Sequence, residues 1–268
     1  MHPLPTFTIG GDLTVGRLGF GTMRATTGAG VWGDPADPAA ARHILREAVA
    51  AGVTFIDTAD SYGPGNSEAL VADALFPYAP GVVVATKGGA VKYAPGKVYA
   101  NGRPAYLKQA AEDSLRRLRR ETHDLYFLHR PDPEVPFAES VGALADLQRE
   151  GKIRHVGISN VTLAQLHEAR TVVAVAAVQN AFNYVDHRSE DLVRATAELG
   201  IAFVAHTPVA AGQRPEALVQ AALAQGQTPN QYALRWLLNF GPHIIAIPGT
   251  SSPDHLRENL AAGSPTGR

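Results

Sequence analysis

Four side chains suited to proton transfer beside a hydride acceptor stand at or just beyond the ends of short apolar runs. Asp57 closes Val53-Thr54-Phe55-Ile56-Asp57, in which no charge precedes the acid, the composition of a buried strand. Tyr62 follows in the turn Tyr62-Gly63-Pro64-Gly65. Lys87 ends Val82-Val83-Val84-Ala85-Thr86-Lys87, and His129 ends Leu125-Tyr126-Phe127-Leu128-His129. A phenol, with a pKa of about 10, is a poor acid at neutral pH. A lysine ammonium beside it lowers that value, and an aspartate beside the lysine keeps the ammonium charged and placed. A histidine next to the phenol can donate a hydrogen bond to a substrate oxygen. Such a set protonates an oxygen that gains negative charge, as a carbonyl oxygen does when its carbon accepts hydride. None of the four can supply hydride, so an organic redox cofactor is required.

Residues this far apart meet only in a fold that gathers strand ends on one face. Residues 6–15 read as a hairpin around Gly10-Gly11-Asp12. Eight short apolar strands follow, at 18–23, 53–57, 82–86, 125–128, 153–158, 175–178, 201–205 and 244–247. Helical spacing comes after each, at 39–51, 67–75, 104–119, 137–150, 162–170, 189–199, the pair 215–225 and 229–239, and 253–261. Strict alternation implies a parallel sheet, and eight units imply closure. The expected fold is therefore an α/β (β/α)8 TIM barrel. It forms one domain over 1–268, with an N-terminal β-hairpin in 1–16 and a short tail at 261–268. An open doubly wound sheet is disfavoured because no Gly-x-Gly-x-x-Gly opens a helix after the first strand. A barrel mouth would also collect Ser159-Asn160, Gln179-Asn180 and His206-Thr207 from other strand ends.

Composition narrows the classes. A formal net charge of -1 argues against a nucleic-acid partner held by bulk electrostatics. Without a single cysteine, thiolate nucleophiles and cysteine-based zinc sites are excluded. No apolar run approaches membrane-spanning length, and Met1-His2-Pro3-Leu4-Pro5 lacks the basic and apolar regions of a signal peptide, so a cytoplasmic location is expected. His43, His167 and His187 have no ligand spacing, and no metal site is expected. The run Leu115-Arg116-Arg117-Leu118-Arg119-Arg120 falls at a helix end, where cations complement the macrodipole.

Six segments in sequence order carry a family resemblance: Asp57-Thr58-Ala59-Asp60-Ser61-Tyr62-Gly63, Thr86-Lys87-Gly88, Leu128-His129-Arg130-Pro131-Asp132, Gly157-Ile158-Ser159-Asn160, Val178-Gln179-Asn180 and Ile247-Pro248-Gly249-Thr250-Ser251-Ser252. In them the chain resembles the aldo-keto reductases, from about residue 6 to 260, and is similar to the bacterial branch that includes pyridoxal reductase. The resemblance implies a tetrad of Asp57, Tyr62, Lys87 and His129, with Tyr62 as general acid in NADPH-dependent reduction of an aldehyde or ketone. It implies that Ser159, Asn160 and Gln179 hold the nicotinamide amide, and that Gly21, Thr22 and Met23 lie along the cofactor. Asp57, His206, Thr207 and Pro208 join that surface. Gly249, Thr250, Ser252, His255, Glu258 and Asn259 would grip the adenosine phosphate. Substrate contacts are expected from Trp32, Tyr62, Tyr93 and His129.

Three departures from the family pattern bear on this expectation. His206 stands where a Tyr or Phe usually stacks on the nicotinamide, so weaker and pH-dependent cofactor binding is expected. Gly249 and His255 stand where many members place Lys and Arg on the 2′-phosphate, which leaves NADH possible. The short tail implies a more open pocket. Two other readings stay open: an NADPH-binding sensor or regulatory subunit without turnover, and an NAD-linked sugar or cyclic-alcohol dehydrogenase. The expected partner is a small carbonyl compound, with oligomeric state unassigned.

Overall fold

Short apolar strands ending in polar residues, each followed by an amphipathic helix, have one compact solution: a parallel sheet curled on itself inside a helical ring. The computed structural model describes residues 4–263. Met1-His2-Pro3 and the tail beyond residue 263 lie outside the described residues. The hairpin pairs β1 (Thr6–Ile9) with β2 (Leu13–Gly16) in antiparallel register, Phe7 against Val15. The barrel strands are β3 (Phe20–Gly21), β4 (Phe55–Asp57), β5 (Val83–Gly88), β8 (His123–Leu128), β9 (Ile153–Ser159), β10 (Val175–Ala181), β11 (Ala202–His206) and β12 (Ile244–Ala246). They form one sheet in the order β12-β11-β10-β9-β8-β5-β4-β3. A parallel bridge between Leu18 and Ala246 joins its two edges.

Helices α1 (Pro38–Ala50), α2 (Asn66–Leu75), α3 (Pro104–Leu118), α4 (Phe137–Arg149), α5 (Leu163–Val172), α6 (Glu190–Glu198), α7 (Glu216–Ala224), α8 (Pro229–Phe240) and α9 (Pro253–Ala261) surround it. Alternate strand residues serve two cores. Phe55, Val83, Leu125, Phe127, Val204 and Ile245 point into the barrel and meet Ile9, Leu13 and Val15 of the hairpin, which plugs one end. Ile56, Val84, Tyr126, Ile158 and Val178 point outward onto Ile44, Leu107, Leu144 and Leu166 of the helices. Both faces are covered, which is why the strands read as continuous apolar runs.

Two elements differ from the sequence reading. The first barrel strand was expected over 18–23 but is laddered only at Phe20–Gly21. Its glycines let neighbouring backbones in: a Cβ on Gly19 would lie 2.8 Å from the carbonyl oxygen of Phe55, and one on Gly21 2.7 Å from that of Ile247. The segment after Lys87, read as loop, forms a second antiparallel hairpin, β6 (Ala90–Ala94) and β7 (Lys97–Ala100), across the turn Pro95-Gly96. It docks on the segment after β3, where the carbonyl oxygen of Gly30 accepts from Gly96 N (3.1 Å) and Lys92 Nζ (2.9 Å).

The arginine run at the end of α3 is used structurally. Arg117 pairs with the buried Glu68 at 2.6 Å, Arg119 with Asp73, and Arg120 with Asp124 at 2.7 Å. Among the described residues no helix is long and apolar enough to cross a membrane.

Candidate active site

Strands β4, β5 and β8 deliver Asp57, Lys87 and His129 to one mouth, and the turn after β4 swings Tyr62 above them. Lys87 is fully buried, and its ammonium donates to Asp57 Oδ1 and to the carbonyl oxygen of Thr58, each at 2.7 Å. The other carboxylate oxygen, Oδ2, accepts from Gln179 Nε2 at 2.8 Å. Asp57 is thus held from two sides by Lys87 and the side-chain amide of Gln179, whose Oε1 is the acceptor end of that amide. The Tyr62 ring lies 5.3 Å from Lys87 Nζ and meets the His129 ring edge-on, with centroids 6.0 Å apart. His129 is fixed by its own backbone: its N–H donates to Gly88 O at 2.8 Å, and its carbonyl oxygen accepts from Asn160 Nδ2 at 2.9 Å.

Burial sets the protonation states. It pushes the Tyr62 phenol above its ordinary value, and the opposing field of Lys87 only partly offsets this. The expectation that lysine leaves the phenol below its ordinary pKa is therefore corrected: the phenol keeps its proton, and Lys87 limits the rise. Burial also opposes the charge on Lys87, yet Asp57 and Tyr62 reverse the balance and hold it above the usual lysine value. His129 is driven well below an ordinary imidazole by burial first, then by Lys87 and Arg130, and is neutral at pH 7. The mouth therefore presents a protonated phenol and a neutral imidazole next to a locked ammonium, a donor set matched to an oxygen acquiring negative charge.

Above these groups lies a cavity of about 640 Å³, lined by Asp57, Tyr62 and His129 together with residues from five other strand ends. An adjoining cavity of about 570 Å³ shares Met23, Arg24, Val31, Gly249, Thr250 and His255 with it. Two non-glycine residues on this wall, Asn160 (φ 56°) and Thr207 (φ 57°), hold left-handed backbone, a strain that concentrates at functional sites.

The sequence profile of the Aldo/keto reductase family matches residues 17–265. The chain belongs to the aldo/keto reductase family. An uncharacterized oxidoreductase of Schizosaccharomyces pombe is 42% identical to it over 255 residues, covering 94% of this chain and 83% of that protein. Pyridoxine 4-dehydrogenase of Escherichia coli is 41% identical over 268 residues, covering 96% and 92%. The crystal structure of an aldo-keto reductase from Klebsiella pneumoniae in complex with NADPH is similar at a TM-score of 0.82 and 28% identity, over 97% of this chain and 89% of that one.

In this aldo/keto reductase most of the expected cofactor residues share the cavity: Gly21, Thr22, Met23, Ser159, Asn160, Gln179, His206, Thr207, Pro208, Gly249, Thr250, His255 and Asn259 all line it. Ser159 donates to Gln179 O at 2.7 Å, and Thr22 shares a 2.8 Å hydrogen bond with Ser67. His206 sits at the mouth, half-buried, with Nδ1 at 3.0 Å from Thr207 Oγ1 and Nε2 at 3.4 Å from Asn160 Oδ1. Burial lowers its pKa to about 4, so it is uncharged throughout the neutral range. The pH dependence expected from His206 therefore falls outside that range.

Other expected residues stand elsewhere. Ser252 caps α9, accepting from His255 N at 3.4 Å. Glu258 accepts from the Thr228 hydroxyl and is not part of the lining. Trp32 is half-buried beside the cavity rather than in its wall. Tyr93 is 58% exposed and packs on Tyr99 with centroids 5.8 Å apart, on the outer side of the β6–β7 hairpin.

Four cations in the lining were not singled out from sequence: Arg24, Lys92, Arg130 and Arg214. Two were within reach of such reading, since Arg24 directly follows Gly21-Thr22-Met23 and Arg130 directly follows His129. Among the described residues no cluster of three or more His, Asp or Glu side chains is placed to hold a metal ion.

Proposed function

We propose that this aldo/keto reductase reduces an aldehyde or ketone to the alcohol with NADPH, Tyr62 delivering the proton. The observation that carries this reading is the buried Lys87–Asp57 pair at 2.7 Å beneath a cavity-facing phenol that burial keeps protonated. A dinucleotide suits the residues present. The cavity is within the size range of cofactor sites, and its far end reaches Thr250 and His255 at the amino end of α9, where backbone N–H groups favour phosphate. Gly21 and Gly249 approach so closely that a Cβ on Gly249 would lie 2.3 Å from Gly21 O, which leaves a flat backbone floor along that side.

When bound, a reduced nicotinamide supplies hydride to the carbonyl carbon. Ser159, Asn160 and the side-chain Oε1 of Gln179 would orient its carboxamide. The neutral His129 donates to the substrate oxygen, and Tyr62 passes its proton to that oxygen as charge develops there. Lys87, held by Asp57, stabilises the phenolate that remains. NADPH is favoured over NADH because Arg24 stands across from Gly249, Thr250 and His255. It brings a guanidinium to a region where the expected Lys and Arg are missing. The NADPH complex of the Klebsiella relative supports the same cofactor.

Titration with NADPH by protein fluorescence, followed by an aldehyde panel that includes pyridoxal, tests the reading. Tight binding and oxidation of NADPH are expected. Binding without oxidation of NADPH by any aldehyde would favour a sensor instead.

A further inference from the structure

Resting on the reductase reading, we infer that the carbonyl substrate is an anion, and that Arg130 holds its carboxylate or phosphate on the wall next to the expected nicotinamide contacts. The expected nicotinamide contacts come from the ends of β9, β10 and β11. The adjoining wall, which starts at β8 next to β9, is left to the substrate, and it is built from His129-Arg130 and from Ala90, Lys92 and Val98 of the β6–β7 hairpin.

Arg130 is half-buried in that wall, and its Nε is buried without any hydrogen-bond partner. A buried guanidinium nitrogen left without an acceptor is unusual, because an arginine's fork of donors is normally satisfied by a carboxylate or phosphate. Among the described residues no acid takes that place. Asp132, two residues on, is turned away to accept from Gly102 N at 2.8 Å and Glu134 N at 2.9 Å. Asp57, which also lines the cavity, is fully used by Lys87 and Gln179.

Lys92 adds a second positive charge on the same wall, steadied by its 2.9 Å bond to Gly30 O. Both cations lie close enough to His129 to act on its ring. Tyr62, His129 and Arg130 therefore define a carbonyl site with a cationic socket beside it. An aldehyde carrying an acid group a few bonds away would fill both. Neutral aldehydes would reach Tyr62 but leave the buried Nε of Arg130 without a partner.

Matched pairs test this with the full chain and NADPH: 4-carboxybenzaldehyde against benzaldehyde, and glyceraldehyde 3-phosphate against glyceraldehyde. For at least one pair the kcat/KM ratio of anion to neutral partner is expected to be about 10- to 100-fold, the range of one charge-assisted pair. That ratio should fall as ionic strength rises. Whichever pair shows the larger ratio identifies carboxylate or phosphate as the group. In Arg130→Met the ratio should collapse toward one, and Arg130→Lys should restore part of it. The ratio is internal to each variant, so a partly misfolded preparation does not distort it. Reduction of the neutral members with a ratio of one or less, or a ratio unchanged in Arg130→Met, would overturn this inference and leave the reductase reading intact. Failure to reduce any member, with pyridoxal and the rest of the aldehyde panel also inert, would overturn both.

Discussion

At the residue scale the proposal rests on Tyr62 being an acid that burial keeps protonated and Lys87 prevents from becoming inert. Lys87→Met would leave Asp57 buried without its cation. A loss of about 3–5 kcal/mol of stability is expected, as for other broken buried pairs. The double variant Asp57→Asn/Lys87→Met should regain part of it in urea unfolding. Equal midpoints for native protein and Lys87→Met would contradict the pair's structural weight. His206 supplies a second test. A larger ring in its place should stack better on the nicotinamide, so His206→Tyr should tighten NADPH binding by about 2- to 10-fold. Because His206 titrates near pH 4, the native affinity should be flat between about pH 6 and 8 as far as this residue controls it. A transition in NADPH affinity centred near pH 6.5 that vanishes in His206→Tyr would refute that assignment.

At the element scale, the close passage of β3 against the segment after β12 ties barrel closure to the cavity floor. Gly249→Ala would push a methyl to within 2.3 Å of Gly21 O. The two segments must part, and overpacking of this kind costs about 1–3 kcal/mol. If that cost falls on the bound state, NADPH affinity should drop by about 5- to 150-fold. An unchanged dissociation constant would show that the floor is not used. The elements themselves were largely legible: strands β4, β5 and β8 announce themselves by β-branched runs that end in a polar residue. The β6–β7 hairpin was not. Its alternation covers only Ala90–Ala94 and Lys97–Ala100, half its residues face solvent, and its turn looks like any Pro-Gly break in a loop. Strand β3 was overestimated because its glycines serve close backbone approach rather than a longer ladder.

For the whole molecule, histidines held neutral inside the barrel and its helical ring set the acid side of stability. His123 is fully buried, with Nε2 at 3.0 Å from Ala111 O, and burial lowers its pKa to about 4. His129 and His243 are lowered too, again chiefly by burial. Unfolded imidazoles take up protons from about pH 6.5 downward while these folded ones do not, so unfolding gains protons and stability falls as pH drops through that window. His123 alone accounts for about 3 kcal/mol between pH 7 and pH 4. His123→Gln should flatten the slope of unfolding free energy in that range; an identical slope would rule the group out.

The eightfold alternation and the order of the strand-end motifs made the barrel and most of the cavity lining readable in advance. Two features were not readable: the bond from Gln179 to Asp57, and the cationic wall of Arg130 and Lys92. Both depend on which way a side chain turns once residues 30 to 120 positions apart share one barrel mouth, as the separations of Lys87 and Gln179 from Asp57 illustrate.

The most direct test of the central claim compares native protein with Tyr62→Phe, reading NADPH binding by fluorescence and NADPH oxidation with a reducible aldehyde in the same sample. Equal binding and a turnover lowered by about 10²- to 10⁴-fold in the variant is the expected result. A Tyr62→Phe protein that oxidises NADPH as fast as the native chain would contradict it.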